Sequence, residues 1–306
     1  MKVLITGSSG FVGSYLTNKL KFTHTVIGHG RSSCNRSNID DYLKVNIDSE
    51  SNWKEHLTGI NTIVHLAAVA HNNSNDPDYI NEVNVKGTIN LAEQAAKCGV
   101  KRFIFISSIG VLGNNTTNTL PFEEHFNVAA HSQYAQSKLD AEIALLQIAN
   151  ETRLEVVIIR PVLVYGTGAP GNFGKLVSLV NQMPMLPFAL CKNKRSFISV
   201  DNLVDFISRC IDHPKAKNES FCISDGNDVS IREFTDGIAI GLNKKLIQLP
   251  IPMFIFKLLG KITGKSEPIE QLIGDLQVDS SKARNLLDWT PPFTMAETLS
   301  KLRIKN

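Results

Sequence analysis

The sequence predicts a doubly wound α/β fold, in which helices cover both faces of a parallel β-sheet. Short runs of consecutive apolar residues alternate with helix-like segments through the first half of the chain. Strands that are apolar throughout are typical of parallel sheets buried on both sides. A glycine-rich turn at residues 6–13 also joins the first strand to the first helix, as it does in dinucleotide-binding folds.

Six strands are predicted before the rhythm of the sequence changes at Pro161. They lie at residues 3–5, 25–27, 43–45 (the weakest), 62–66, 103–106 and 156–159. Helices are predicted over residues 10–20 and 79–97, with Gly99 as a C-cap. Further along, the sequence indicates a loop at 166–171, a short helix, a capped helix over 201–210, a strand at 221–223 and a tail of helices broken by prolines.

These elements suggest two unequal parts. We expect a dinucleotide-binding domain over residues 1–165, to which residues 196–224 return. Residues 166–195 and 225–306 would then form a smaller substrate-binding lobe.

Composition excludes several classes of protein. The 306 residues include 42% hydrophobic residues, and 32 Lys+Arg against 29 Asp+Glu gives a net charge of +3. A disordered chain and a protein held on nucleic acid by many phosphate contacts are therefore excluded. Five cysteines without a C-x-x-C pair argue against a disulfide framework or a cysteine zinc site and fit a reducing cytoplasm.

No signal peptide or membrane span is expected. The longest apolar stretch, residues 249–259, contains two prolines and Lys257, and it is too short to cross a bilayer. Residues 253–262, which include Lys257 and Lys261, have a composition that would suit a membrane surface. Packing within the protein or an oligomer contact is the favoured interpretation of that stretch.

The first chemical motif is TGSSGFVG at residues 6–13. Glycines at 7, 10 and 13 allow a tight turn and a close approach of the backbone to phosphate at a helix N-terminus. The acidic residue that usually binds the adenosine ribose about 20 residues later is missing. Arg31 and Ser32 follow the second strand instead and favour NADP slightly over NAD. The alternative is that Arg31 is a solvated loop residue that stacks on adenine.

Two further motifs carry hydroxyl groups. Tyr134 and Lys138 are four residues apart, so on a helix they share one face. A nearby ammonium group favours tyrosinate, which makes Tyr134 a usable base. Ser107 and Ser108 end the fifth strand, at the sheet edge where such folds bind ligands. The alternatives are an exposed surface pair and a simple strand-end cap.

Together these motifs resemble the extended short-chain dehydrogenase/reductase superfamily, and in particular its UDP-sugar 4-epimerase-like members (the NAD-dependent epimerase/dehydratase family). The resemblance covers essentially the whole chain. Matching segments are TGSSGFVG at 6–13, HLAA at 65–68, NVKGT at 84–88, RP at 160–161, GNF at 171–173, RSFISVDN at 195–202 and DSSK at 279–282.

The resemblance implies a role for each matching residue. The catalytic residues would be Ser108, Tyr134, Lys138 and Asn84. The cofactor, NAD or NADP, would contact Gly7, Gly10, Phe11, Val12, Gly13, Arg31, Ser32, Asn46, Ile47, Leu66, Ala67, Ala68, Tyr134, Lys138 and Pro161. The substrate, a UDP-sugar, would contact Ser108, Asn172, Arg195 and Asp275. No metal site is implied, and a homodimer is expected.

The reaction implied is NAD(P)-dependent redox chemistry at sugar C4, as in a UDP-hexose or UDP-N-acetylhexosamine 4-epimerase. Ile109-Gly110 replaces the Asp-Glu pair of the related dehydratases, which argues against dehydration. Asn46-Ile47 replaces a common Asp-aliphatic pair, and Leu272 replaces a common arginine near the uridine. An NADPH-dependent 4-ketoreductase acting on a UDP-4-keto-6-deoxy-hexosamine is the alternative. A non-catalytic dinucleotide sensor is a more remote one.

Overall fold

A computed structural model describes residues 1–31, 38–69, 76–116, 119–264 and 266–304. Its strands are β1 (Lys2–Thr6), β2 (Thr25–His29), β3 (Asp41–Leu43), β4 (Thr62–His65), β5 (Arg102–Ile106), β6 (Glu155–Pro161), β7 (Leu163–Tyr165), β8 (Met185–Leu186), β9 (Phe197–Ser199), β10 (Ser220–Ile223) and β11 (Ile247–Gln248).

The helices cover both faces of the sheet and build most of the C-terminal half. They are α1 (Phe11–Leu20), α2 (Pro77–Asn81), α3 (Gly87–Lys97), α4 (Gln133–Glu151), α5 (Gly171–Gln182), α6 (Val200–Asp212), α7 (Ile231–Gly241), α8 (Met253–Thr263), α9 (Ser266–Ile273), α10 (Ser281–Leu287) and α11 (Met295–Ser300).

Seven strands form one sheet in the order β10-β6-β5-β4-β1-β2-β3. Every neighbouring pair in it is parallel, which confirms the predicted doubly wound sheet. From β1 the chain runs outward to β2 and β3, and it then crosses back to β4 on the other side of β1. Ligands of open α/β sheets bind where the order reverses, outside the carboxyl ends of the strands. Here that point lies between β1 and β4.

Alternate residues of the strands enter different cores. Val3 and Ile5 of β1 belong to one apolar cluster, and Leu4 belongs to a second cluster on the other face of the sheet, as the two-residue period of a strand requires. A third cluster is built around Tyr165, Phe173 and other residues of the C-terminal half. The sheet is therefore held between two apolar layers, and its carboxyl edge is a rigid platform.

The structure corrects several boundaries and adds elements. The third strand lies at Asp41–Leu43 rather than 43–45. The helix predicted over 79–97 is interrupted by a π-helical turn, Glu82–Lys86, between α2 and α3. Two small parallel ribbons, β7 with β9 and β8 with β11, were not predicted, because strands of two or three residues are too short to show a period.

The described residues contain neither a membrane-spanning helix nor a cluster of metal ligands. No helix in the described ranges is both long and apolar enough to cross a bilayer. Within the same ranges, histidine, cysteine and carboxylate side chains do not gather in groups of three or more that could hold a metal ion.

Candidate active site

Two adjoining cavities open at the carboxyl edge of the sheet, where the strand order reverses. The first measures about 1010 Å³ and the second about 850 Å³. Gly7, Gly10, Leu66 and Ala68 line both of them. The two cavities therefore meet at the glycine-rich turn, where the sequence placed a dinucleotide.

The glycine-rich turn between β1 and α1 packs closely against the loop that follows β4. Gly7 has a φ of +69°, and a Cβ atom there would lie 3.0 Å from the backbone nitrogen of Ala67. A Cβ on Gly13 would lie 2.3 Å from the carbonyl oxygen of Gly7. Helix α1 begins at Phe11, and neither a side-chain cap nor an acidic residue occupies its first turn. This backbone cradle at a helix N-terminus fits the pyrophosphate of a dinucleotide.

The second cavity is lined by several residues assigned to the adenosine half of the cofactor. Arg31, Asn46, Ile47 and Ala67 lie on its wall. Ser32, the other residue predicted to bind a 2′-phosphate, lies outside the described residues.

Two carboxylates, those of Asp48 and Glu82, line the same cavity as Arg31. Hydrogen bonds from the backbone and hydroxyl of Ser49 lower the pKa of Glu82 to about 2. Glu82 is therefore ionised at neutral pH. Neither carboxylate was predicted, because the two come together only through the fold.

The first cavity brings together the hydroxyl and amine groups predicted to be catalytic. Ser108, Tyr134 and Lys138 all lie on its wall. The Nζ atom of Lys138 donates a hydrogen bond to the carbonyl of Ile106 at 2.9 Å. The same atom lies 4.4 Å from the ring centroid of Phe105 and 5.9 Å from that of Tyr134. Tyr and Lys on one face of α4 therefore meet the end of β5.

The remaining cofactor residues also lie on the cavity walls. Phe11, Val12, Gly13 and Pro161 line the first cavity. Every described residue that the sequence assigned to the cofactor thus lines one of the two cavities.

The ionisation of the tyrosine–lysine pair differs from the expectation. Burial raises the pKa of Tyr134 to about 12. Burial also lowers the pKa of Lys138 to about 7, and the carboxylate of Glu142 opposes that change. The Lys138 ammonium was expected to lower the pKa of Tyr134, and burial raises that pKa instead. Desolvation therefore outweighs the pairing of Tyr134 with Lys138.

A buried ion pair joins the helix that carries these residues to the sheet. Glu142, one turn after Lys138, accepts hydrogen bonds from Arg160 at 2.6 Å and 3.1 Å. Arg160 also donates to the carbonyl of Glu124 at 3.0 Å. Arg160 precedes Pro161 on the cavity wall, so this pair fixes α4 against β6. Glu142 was not predicted, because nothing along the chain shows that it faces Arg160.

Asn84 lies away from the cavity wall that carries the other predicted catalytic residues. It lies in the π-helical turn and is buried. Its side chain bonds to both the N–H and the carbonyl of Val69, and it donates to the Ser137 hydroxyl at 3.1 Å. Asn84 is not among the described residues that line either cavity. Its contacts make it a positioning residue that connects α4 to the loop after β4.

At the far end of the first cavity are residues predicted to hold the substrate. Asn172 and Arg195 line it. The Arg195 guanidinium donates to the carbonyl of Gly274 at 3.0 Å, and burial lowers its pKa to about 10, so it remains charged. The neighbouring Lys192 and Lys194 are exposed. Arg195 is thus the residue of this basic cluster that reaches the cavity.

Asp275 is placed differently from the prediction. It is not among the described residues of the cavity wall, and its carboxylate accepts the backbone N–H of Lys194 at 2.6 Å. A carboxylate would repel a diphosphate, and here it holds the segment that carries Arg195.

Other residues of the wall were not predicted. Lys175 lines the cavity, three residues after Asn172 on α5, and this helical spacing was a signal that could have revealed it. Gln271, Leu272 and Leu276 also contribute from the C-terminal region. Leu272, which replaces an arginine common among similar sequences, therefore lies on the wall as an apolar residue.

Comparisons with known proteins agree with this geometry. The family model described as the NAD dependent epimerase/dehydratase family matches residues 3–224. A UDP-glucose 4-epimerase of Vibrio cholerae is 43% identical over 302 residues, which cover 96% of this chain and 92% of that protein.

Two other comparisons extend the range of relatives. An N-acetyl-alpha-D-glucosaminyl-diphospho-ditrans,octacis-undecaprenol 4-epimerase of Escherichia coli O157:H7 is 27% identical over 98% of this chain and 93% of that protein. A short-chain dehydrogenase/reductase superfamily structure from Agrobacterium tumefaciens with bound NAD is 19% identical, with a TM-score of 0.80 over 99% of this chain and 96% of that one. At that identity the structural likeness concerns the fold alone.

Proposed function

The chain belongs to the NAD dependent epimerase/dehydratase family, and we propose that it interconverts two UDP-sugars that differ in configuration at C4. The observation that carries the proposal is a single cavity that joins a dinucleotide cradle to Ser108, Tyr134 and Lys138 and then to Arg195. The 43% identity to a UDP-glucose 4-epimerase supports UDP-glucose and UDP-galactose as the first substrates to test.

The cofactor would be held by the glycine turn and Lys138. When bound, it would accept the hydride of sugar C4 and return it, and its oxidised ring would add a positive charge beside Tyr134. The absence of an acid at the end of β2 and the position of Arg31 support NADP. The carboxylates of Asp48 and Glu82 on the same cavity wall support NAD.

Tyr134 would act as the acid and base at the 4-hydroxyl of the sugar. In the structure burial raises its pKa to about 12, so it must lose its proton with help from positive charge. Lys138 supplies part of that charge when it is protonated. The Ser108 hydroxyl, which accepts a hydrogen bond from the Gly110 N–H at 3.1 Å, is free to donate its own proton to the sugar oxygen.

The diphosphate of the substrate would bind at the far end of the cavity. Arg195 presents a planar fork that matches phosphate oxygens, and Lys175 supplies a second cation. Asn172 would hydrogen-bond the same group. Whether the sugar is a hexose or an N-acetylhexosamine is decided by comparing UDP-glucose with UDP-N-acetylglucosamine as substrates.

We further propose a homodimer. Ile143 and Leu146 on α4 are exposed apolar side chains three residues apart, so they lie on one face of the helix. Sedimentation of the purified protein measures its mass directly, and a monomer at all concentrations would contradict this proposal.

The function is tested with purified protein and the variant Tyr134→Phe. We expect turnover of UDP-glucose to fall by about 10²–10⁴-fold with folding unchanged. Tyr15→Phe is the matched control, because it removes a hydroxyl that bonds the Thr167 carbonyl outside both cavities. Near wild-type turnover in Tyr134→Phe would remove this residue from the mechanism. A protein that is inactive on UDP-sugars but consumes NADPH with a UDP-4-keto sugar would be a 4-ketoreductase.

A further inference from the structure

Helix α8 carries an exposed apolar stripe. Phe254, Leu258 and Ile262 are 67%, 53% and 72% exposed. They are spaced four residues apart, so their side chains lie along one side of the helix. Buried Phe256 faces the opposite way, and its ring stacks on that of Phe188 at 6.1 Å. The helix is therefore anchored on one side and presents apolar residues on the other.

The ribbon next to α8 continues this apolar character. Met185 of β8 pairs with Ile247 of β11, and both side chains are exposed. Met183 and Leu249 lie two residues before and after them and are also exposed, which places the four on one face of the ribbon. We call these four residues, with Phe254, Leu258 and Ile262, the α8–β11 surface.

The charge of the segment that forms most of this surface has one sign. Residues 243–265 contain five lysines and no aspartate or glutamate. Of these, Lys244, Lys245 and Lys261 are exposed. Aromatic and aliphatic residues on one face of a helix, with lysines beside them, are the features by which amphipathic helices bind in the plane of an anionic bilayer.

The α8–β11 surface adjoins the substrate end of the first cavity. Helix α9 packs on α8, and Gln271 and Leu272 of α9 line that cavity. Leu179, which lines the cavity from α5, is itself partly exposed. A flat partner on this surface would therefore lie close to the cavity entrance.

We propose that the α8–β11 surface docks on the surface of an anionic lipid bilayer. Helix α8 has 11 residues, so it would lie in the headgroup plane and would not cross the membrane. Packing within the protein or an oligomer contact was the interpretation favoured from the sequence; the exposed stripe excludes the first of these, and the second is an outcome of the test below. The proposal concerns location and does not depend on the reaction that the cavity performs.

The test is co-sedimentation of the full chain with vesicles. We expect binding to vesicles of phosphatidylcholine mixed with phosphatidylglycerol, weaker binding to phosphatidylcholine alone, and a loss of binding at high salt. The triple variant Phe254→Ser, Leu258→Ser, Ile262→Ser should bind at least about tenfold less, because these side chains supply the inserted apolar area. Lys245→Gln and Lys261→Gln should each weaken binding by about fivefold.

Matched controls separate this surface from exposed apolar residues in general. Phe22→Ser and Leu120→Ser remove two side chains that are 82% and 78% exposed elsewhere, and they should bind vesicles like the wild type. Far-UV circular dichroism and thermal melting check the fold of every variant.

Three results would overturn the proposal. The first is no binding of the wild type to mixed vesicles, and the second is equal losses in the triple variant and the controls. The third is a triple variant that binds vesicles normally but has half the wild-type mass in sedimentation. In that case the surface would hold a second copy of the chain.

Discussion

Replacing Lys138 by Met should make the protein more stable while it removes activity. Lys138 is 2% exposed, and burial lowers its pKa from 10.5 to about 7. Each pH unit of difference corresponds to about 1.4 kcal/mol, so holding this amine in the fold costs about 4 kcal/mol at neutral pH. A Met side chain has a similar volume and does not ionise, so its burial carries no such cost.

Two contacts of Lys138 reduce the expected gain. The hydrogen bond to Ile106 and the position of Nζ over the Phe105 ring together offset about 1–3 kcal/mol. We therefore expect the free energy of unfolding of Lys138→Met to exceed that of the wild type by about 1–3 kcal/mol at neutral pH.

The pH dependence of this difference has a definite sign. The folded pKa of Lys138 is depressed, so the unfolded chain binds more protons between about pH 7 and the ordinary lysine pKa of 10.5. Wild-type stability should therefore rise with pH across this window. The advantage of Lys138→Met should shrink over the same range, vanish within it, and give way to a more stable wild type near its upper end.

Urea denaturation followed by circular dichroism, at about pH 7 and about pH 10, measures both effects. Lys101→Met, which replaces an exposed lysine, is the control and should change stability little at either pH. A Lys138→Met variant that is less stable than the wild type at neutral pH would refute the reasoning. A difference that does not depend on pH would do the same.

Three further predictions concern other charged groups. Arg31→Ala should weaken NADP(H) binding by about 1.5–3 kcal/mol more than NAD(H) binding in fluorescence titrations, and equal losses would mean that Arg31 does not bind the 2′-phosphate. Arg195→Ala should raise the KM for the UDP-sugar by at least about tenfold, whereas exposed Lys194→Ala should change the KM by about fivefold or less; the reverse order would contradict the placement of the diphosphate. Arg160→Leu should lower stability by about 3–5 kcal/mol in urea denaturation, because Glu142 stays buried without its partner. Adding Glu142→Leu should restore much of that loss, and a double variant as unstable as the single one would contradict this account.

The parts of the molecule that the sequence predicted are those set by local rules. Strand runs such as residues 3–5, the glycine turn and the Tyr134–Lys138 spacing each express a short-range geometric requirement. The structure forms the strand at Lys2–Thr6 and places the glycine turn and the Tyr134–Lys138 pair at one sheet edge. The family resemblance then indicated which of these residues contact the cofactor and which contact the substrate.

What the sequence could not predict depends on contacts between distant segments. The pairing of Glu142 with Arg160 and the partners of Asn84 follow from the packing of α4 against other elements. Burial raises the pKa of Tyr134 and lowers that of Lys138, and neither shift could be predicted, because the i, i+4 spacing does not report burial. The composition of residues 253–262 suggested a membrane surface as one possibility, but which side of α8 is exposed follows from its packing.

The π-helical turn has a consequence for how this region can change in evolution. A π-turn accommodates one more residue than the α-helical turn it replaces, so deleting one residue within Glu82–Lys86 would give a continuous α-helix from α2 to α3. An α-helix turns by about 100° per residue, and Asn84 would then point away from both Val69 and Ser137. Gly87 adds a second restriction, since a Cβ there would lie 2.7 Å from the carbonyl carbon of Ile47. This segment should tolerate neither the loss of a residue nor a side chain at Gly87, although both of its neighbours are ordinary helices.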